Sequence, residues 1–125
     1  MMHHPDLFIT ISEGRDRGVF SSAEIEIDDI IEISPVIVLS SEDKEKIHST
    51  HLHDYYFLWG TKLEQIALAL GYGSLYNHSN TPNATYTYDY ATRTITFKCI
   101  QKIEAGDEIF IDYNEGNEKA VKLWF

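Results

Sequence analysis

Two stretches of this 125-residue chain concentrate side chains that can grip a small polar ligand. The first, Asn77-His78-Ser79-Asn80-Thr81-Pro82-Asn83, carries several amides and a histidine within seven positions of turn-prone sequence. An Asn amide offers both donor and acceptor, so it can read a purine edge or an ammonium group. If the loop is enclosed, those groups need partners from the protein or from a ligand. The second, Gly106-Asp107-Glu108-Ile109-Phe110-Ile111-Asp112-Tyr113, ends an apolar run on a tyrosine, where loops and clefts open. Polar groups converging on an apolar cleft make the two stretches candidates for one joint site.

Other groupings carry weaker chemistry. His48, His51 and His53 followed by Asp54 have a spacing that suits zinc. The simpler reading, a solvated histidine-rich loop, is preferred, and no metal is assigned. The only cysteine, Cys99, forbids an internal disulfide and any CxxC zinc site. Tyr86, Tyr88 and Tyr90 share one face of an alternating segment and have the character of a base-stacking surface. Charge argues against that: 20 acids against 10 bases give a formal charge of -10, which repels phosphate and attracts Lys-rich and Arg-rich peptides. Direct contact with nucleic acid is therefore disfavoured, and the tyrosines read as a core face or a ligand wall. The acids Glu24, Glu26, Asp28, Asp29 and Glu32 read as a solvated strand edge.

The elements that must position these groups are mostly strands. Residues 7–11 and the stretch from Val19 are β-prone around a Gly-containing loop. Residues 25–39 read as β, half-buried and then buried, with a turn at Asp28-Asp29. Residues 40–54 are polar and read as the least structured part, an insert before the inward-packing aromatic block 55–59. Leu63, Ile66, Ala67 and Leu70 fall at i, i+3, i+4 and i+7, which predicts a short helix over 62–70 stopped by Gly71. The segment 76–83 favours irregular backbone, and 84–90 with 94–100 alternate as a hairpin. The length suits a single domain, residues 1–125. No apolar run reaches membrane-spanning length and no signal peptide is visible, so the chain reads as soluble and intracellular, placed in the cytoplasm.

Asn77-His78-Ser79-x-x-Pro82-Asn83 followed by Gly106-Asp107-Glu108-x-x-x-Asp112-Tyr113 resembles the two signature motifs of SET-domain protein lysine methyltransferases, of the minimal viral or bacterial type. Arg17-Gly18-Val19-Phe20 resembles the family's N-terminal cofactor motif, although Asp16-Arg17-Gly18 stands where many relatives have Gly-x-Gly. The resemblance covers roughly residues 7–114, leaving a tail at 115–125. It implies a mainly β fold of small curved sheets with a C-terminal pseudoknot and one short helix. It also implies methyl transfer from S-adenosylmethionine to a lysine side chain of a basic, histone-like protein segment. Arg17, Gly18, Asn77 and His78 would hold the cofactor, Tyr113 would be catalytic, and Tyr86 and Ile111 would line the lysine channel. A non-catalytic SET-like module that binds a basic peptide is the alternative. A homodimer is one way for a domain without flanking lids to complete its site, and Trp124 or Phe125 from the tail is another.

Overall fold

The computed structural model describes residues 2–114. In chain order these form β1 (Met2–His3), β2 (Leu7–Ser12), β3 (Asp16–Ser21), β4 (Ile30–Leu39), α1 (Ser41–His48), a 3-10 turn at His51–Asp54, β5 (Tyr56–Trp59) and β6 (Gln65–Ala69). A second 3-10 turn at Gly73–Leu75 precedes β7 (Asn77–His78), β8 (Ala84–Asp89), β9 (Thr94–Cys99) and β10 (Phe110–Ile111). The mainly β character is as the sequence implies. Trp124 and Phe125 lie outside the described residues. Among the described residues no helix is long and apolar enough to cross a membrane.

The long strand β4 organises the largest sheet. Its β-branched residues Ile30, Ile31, Ile33, Val36, Ile37 and Val38 suit a pleated, half-covered surface. Its first half pairs antiparallel with β9, and its second half pairs with β6. The change of partner falls at Pro35, which has no N–H to give to a ladder. The sheet order is β5-β6-β4-β9-β8, with β1 added against β4. The β8–β9 hairpin is the one that alternation predicts, in register from Ala84↔Cys99 to Asp89↔Thr94. The tyrosine stripe packs on Trp59, whose ring lies 5.1 Å from Tyr88 and 4.8 Å from Tyr90. It is therefore a packing face, as the core reading expects. Phe97, Ile31, Val19, Ile25 and Tyr76 lie in the main core.

Two elements differ from expectation. The predicted helix over 62–70 is strand β6, hydrogen-bonded to β5 on one side and β4 on the other. A strand buried on both faces reads as a continuous apolar run, and its residues then fall on a helical stripe by coincidence. The ends of that stripe mark no helical face: Leu63 turns at φ +54° and Leu70 is exposed. The helix lies instead in the polar segment 40–54. Ser40 caps it by accepting from the Asp43 amide, with Glu42 and Asp43 in the first turn and Lys46 and His48 in the last. No residue of α1 is fully buried, so capping and dipole complementarity stand in for an apolar stripe. A third difference concerns Glu32: it is not on a solvated edge but completely buried.

Candidate active site

The two polar motifs meet through a short parallel ladder. Phe110 pairs with Asn77 and Ile111 with His78, joining β10 to β7 inside what sequence alone reads as irregular loop. Asn83 then clasps the incoming strand from both sides of its amide: Nδ2 donates to the Glu108 carbonyl at 2.9 Å, and Oδ1 accepts from the Phe110 amide at 2.8 Å. Just past the ladder, the Tyr113 amide donates to His78 Nδ1 at 3.0 Å. That bond leaves Nε2 to carry the ring proton, with Asn80 Oδ1 3.2 Å away to accept it.

The β2–β3 hairpin closes one side. Asn77 Nδ2 donates to the Arg17 carbonyl at 2.8 Å and to Glu108 Oε2 at 2.7 Å. Gly18 makes this approach feasible, because a Cβ there would overlap the Glu108 carboxylate and crowd the Asn77 amide. The structure thus brings Arg17, Gly18, Asn77, His78 and Tyr113 into one neighbourhood, although Asn77 is 60 positions from Arg17 and Tyr113 is 35 from His78.

Tyr113 faces a narrow pocket of about 10 Å³ whose walls include Asp54, Tyr55, Phe57, Ser74 and Tyr76. Its hydroxyl donates to the Tyr76 carbonyl at 2.8 Å. Burial, with help from the Asp54 and Tyr55 charges, pushes this phenol up to about 12, so it keeps its proton at neutral pH. Beneath it, the Tyr76 hydroxyl donates to Glu32 Oε1 at 2.6 Å, and the Tyr72 amide donates to Glu32 Oε2 at 2.9 Å. Burial raises the Glu32 carboxyl even against those two donors, and pushes the Tyr76 hydroxyl far up. Tyr55 and Ser74 also line a wider cleft of about 350 Å³ with Arg17, His51, Leu68 and Leu75. An open cleft and a narrow aromatic pocket therefore share a wall.

Tyr86 and Ile111 stand behind this pocket. Both are buried, and the Tyr86 hydroxyl donates to the backbone carbonyls of Asp112 and Tyr113 at 3.1 Å each. The pocket walls come instead from Asp54, Tyr55 and Tyr76; sequence reasoning named Asp54 only with the nearby histidines and did not single out Tyr55 or Tyr76 as site residues. Tyr55 was visible only as part of an aromatic block, and nothing in its spacing distinguishes it from its core neighbours. Of the histidines of 48–53, His48 Nδ1 lies 2.8 Å from the Tyr56 hydroxyl of β5, His53 Nδ1 lies 2.9 Å from the Thr50 carbonyl, and His51 lines the wider cleft. Among the described residues no group of three or more His, Cys, Asp or Glu could hold a metal ion.

The cleft accommodates a nucleoside-sized cofactor. Its volume lies within the range of small-molecule sites and Arg17 lines it; Asn77, bonded through its amide nitrogen to the Arg17 carbonyl, has an Oδ1 with no partner among the described residues.

Comparisons with known proteins agree with this geometry. The family model for the SET domain matches residues 16–114. The chain is 33% identical over 120 residues to the histone-lysine N-methyltransferase, H3 lysine-37 specific, of Schizosaccharomyces pombe, covering 95% of this chain and 76% of that protein. A Plasmodium falciparum chain assigned as a histone methyltransferase is similar in structure, with TM-score 0.72 and 29% identity over 92% of this chain and 98% of that one. A chain of the Chaetomium thermophilum Polycomb Repressive Complex 2, solved with S-adenosylmethionine, superposes with TM-score 0.73 over 88% of this chain and 15% of its own length. At 20% identity that likeness is one of fold. With a family match across most of the chain and a curated relative covered over most of its length, the chain belongs to the SET domain family and is a protein-lysine N-methyltransferase whose methyl donor is S-adenosylmethionine.

Proposed function

We propose that this enzyme methylates a lysine in a basic protein segment, with Tyr113 as the catalytic residue and Arg17, Gly18, Asn77 and His78 as the cofactor-binding set. The observation that carries this reading is the β7–β10 ladder, which sets the Tyr113 hydroxyl at a narrow aromatic pocket sharing Tyr55 and Ser74 with the wider cleft. S-adenosylmethionine, when bound, supplies an electrophilic methyl group on a sulfonium centre. The chain's own task is to admit a lysine as a neutral amine and hold it in line. Asp54 on the pocket wall and the surrounding excess of acids attract the ammonium form. The rings of Tyr55, Phe57 and Tyr76 then disfavour a charge inside the pocket and so favour loss of the proton. The Tyr113 hydroxyl, protonated and tethered at Tyr76, orients the amine. Tyr86 and Ile111 support the channel from behind, Tyr86 by holding the backbone of Asp112 and Tyr113.

The net charge favours a histone-like tail over nucleic acid as the direct partner, and the Schizosaccharomyces pombe relative, named for lysine 37 of H3, supports that substrate class. A homodimer is part of the reading, and light scattering tests it. The decisive experiment incubates the protein with labelled S-adenosylmethionine and purified core histones. Wild type is expected to label lysine, and Tyr113→Phe to lose at least about 100-fold of that rate, the scale of removing one preorganised donor. Asn77→Ala is expected to weaken S-adenosylhomocysteine binding while the chain stays folded. An undiminished rate in Tyr113→Phe removes the tyrosine from its role.

A further inference from the structure

Glu108 belongs to the second motif, yet none of the roles above uses its side chain. Its carboxylate is half-buried and has two donors from distant parts of the chain. Oε1 accepts from the Ser12 hydroxyl at 2.6 Å, across 96 positions, and Oε2 accepts from Asn77 Nδ2 at 2.7 Å, across 31. The same Asn77 nitrogen also donates to the Arg17 carbonyl at 2.8 Å. An amide nitrogen has two hydrogens, and both are taken. Both partners are oxygens that only accept, so inverting the Asn77 amide would set its oxygen against two others. The amide is therefore locked one way round, and its free face is the carbonyl Oδ1, which has no partner among the described residues.

We propose that Glu108 is a positioning residue for the cofactor, fixing the orientation of the Asn77 amide so that the site presents an acceptor, Oδ1, to a hydrogen-bond donor of S-adenosylmethionine. This rests on the reading of Asn77 as a cofactor-binding residue. The cofactor's donors are its ammonium group, its adenine amine and its ribose hydroxyls, and each needs an acceptor of this kind. The clasp is itself supported. Gly18 leaves room for it, the Glu108 carbonyl is tied to Asn83, and the next residue, Ile109, donates to the Val19 carbonyl at 2.8 Å. Hairpin, loop and C-terminal strand are thus referenced to one carboxylate.

The test separates orientation from charge by calorimetric titration with S-adenosylhomocysteine. Glu108→Ala removes the acceptor, and its affinity is expected to fall by about tenfold, the worth of one hydrogen bond to a charged group. Glu108→Gln keeps an acceptor oxygen toward Asn77, because the Ser12 hydroxyl can rotate to accept from the new amide. Its affinity is expected to stay within about twofold of wild type. Equal losses in both variants would overturn the proposal, since the carboxylate would then act through its charge. No loss in Glu108→Ala would overturn it as well. If Glu108→Ala does not fold, wild-type nuclear magnetic resonance decides: the Asn77 side-chain amide hydrogens are expected to exchange with water more slowly than those of exposed Asn80, and equal rates refute the clasp. Asn77→Ala separates the two levels of the reading. Unchanged affinity there removes Asn77 from cofactor binding altogether, whereas lost affinity there with an unaffected Glu108→Ala removes only the role of Glu108.

Discussion

Tyr76→Phe removes one oxygen from the interior and tests the buried network beneath the site. Tyr76 is 1% exposed and Glu32 is fully buried. The phenol donates a hydrogen bond to the carboxylate at 2.6 Å, and the Tyr72 amide donates another. A hydrogen bond to a charged group contributes about 1.5–3 kcal/mol, so the variant is expected to lose about 2 kcal/mol at neutral pH. For a chain of 125 residues the unfolding entropy is about 2.1 cal/mol/K per residue, which converts that loss to a fall of about 8 °C in Tm.

The dependence on pH carries the sharper test. Burial raises the Glu32 carboxyl above its ordinary value of 4.5, so the folded state holds this proton to higher pH than the unfolded state does. The contribution to stability is therefore full below the unfolded value and declines as pH rises through the folded one. Removing the Tyr76 donor takes away support for the charged form and raises the carboxyl further. The gap between wild type and variant should then widen as pH rises above the ordinary carboxyl value of 4.5 and through the raised folded one, where both linkage and the lost hydrogen bond act. Thermal and urea denaturation followed by circular dichroism across that range measures it. Glu32→Gln, which has no charge to bury, should flatten this part of the slope. A gap that is constant with pH, or largest in acid, refutes an ionised Glu32 held by Tyr76.

Two further outcomes follow from the same geometry. Asn83→Ala loses both hydrogen bonds that clasp the C-terminal strand, so stability is expected to fall by about 2 kcal/mol and hydrogen exchange at the Phe110 amide to accelerate. Unchanged exchange there would show that the ladder holds without the clasp. Tyr113 is held up to about 12, so the difference between wild type and Tyr113→Phe in tyrosinate absorption should titrate near that value, and a midpoint near 10 would contradict its burial.

Local pattern was enough for much of this protein. Alternation placed the β8–β9 hairpin, and Gly-rich turn chemistry between β-prone runs placed β2 and β3. Motif chemistry pointed to Asn77, His78 and Tyr113, because amide, imidazole and phenol groups in turn-prone sequence at the end of an apolar run are unusual enough to stand out. Local pattern failed where burial is set by distant neighbours. The run at 65–69 has residues compatible with either period, and only strands on both sides of it decide for β. The helix at Ser41–His48 buries no residue fully, so it has no apolar stripe to detect. Glu32 looks like one acid among several, and it is the arrival of Tyr72 and Tyr76, some 40 positions on, that makes it an interior carboxylate.

Residue types and their order along the chain determined which chemical groups this enzyme has: three amides and an imidazole in one loop, a phenol at the end of one strand, and an excess of acids. Tertiary structure alone decided which of them touch. A parallel pairing of two residues with two others has no periodicity to read, and neither does a carboxylate shared by Ser12 and Asn77. Their stability comes from chain segments held in place by the rest of the core, a long-range property that no window of sequence contains.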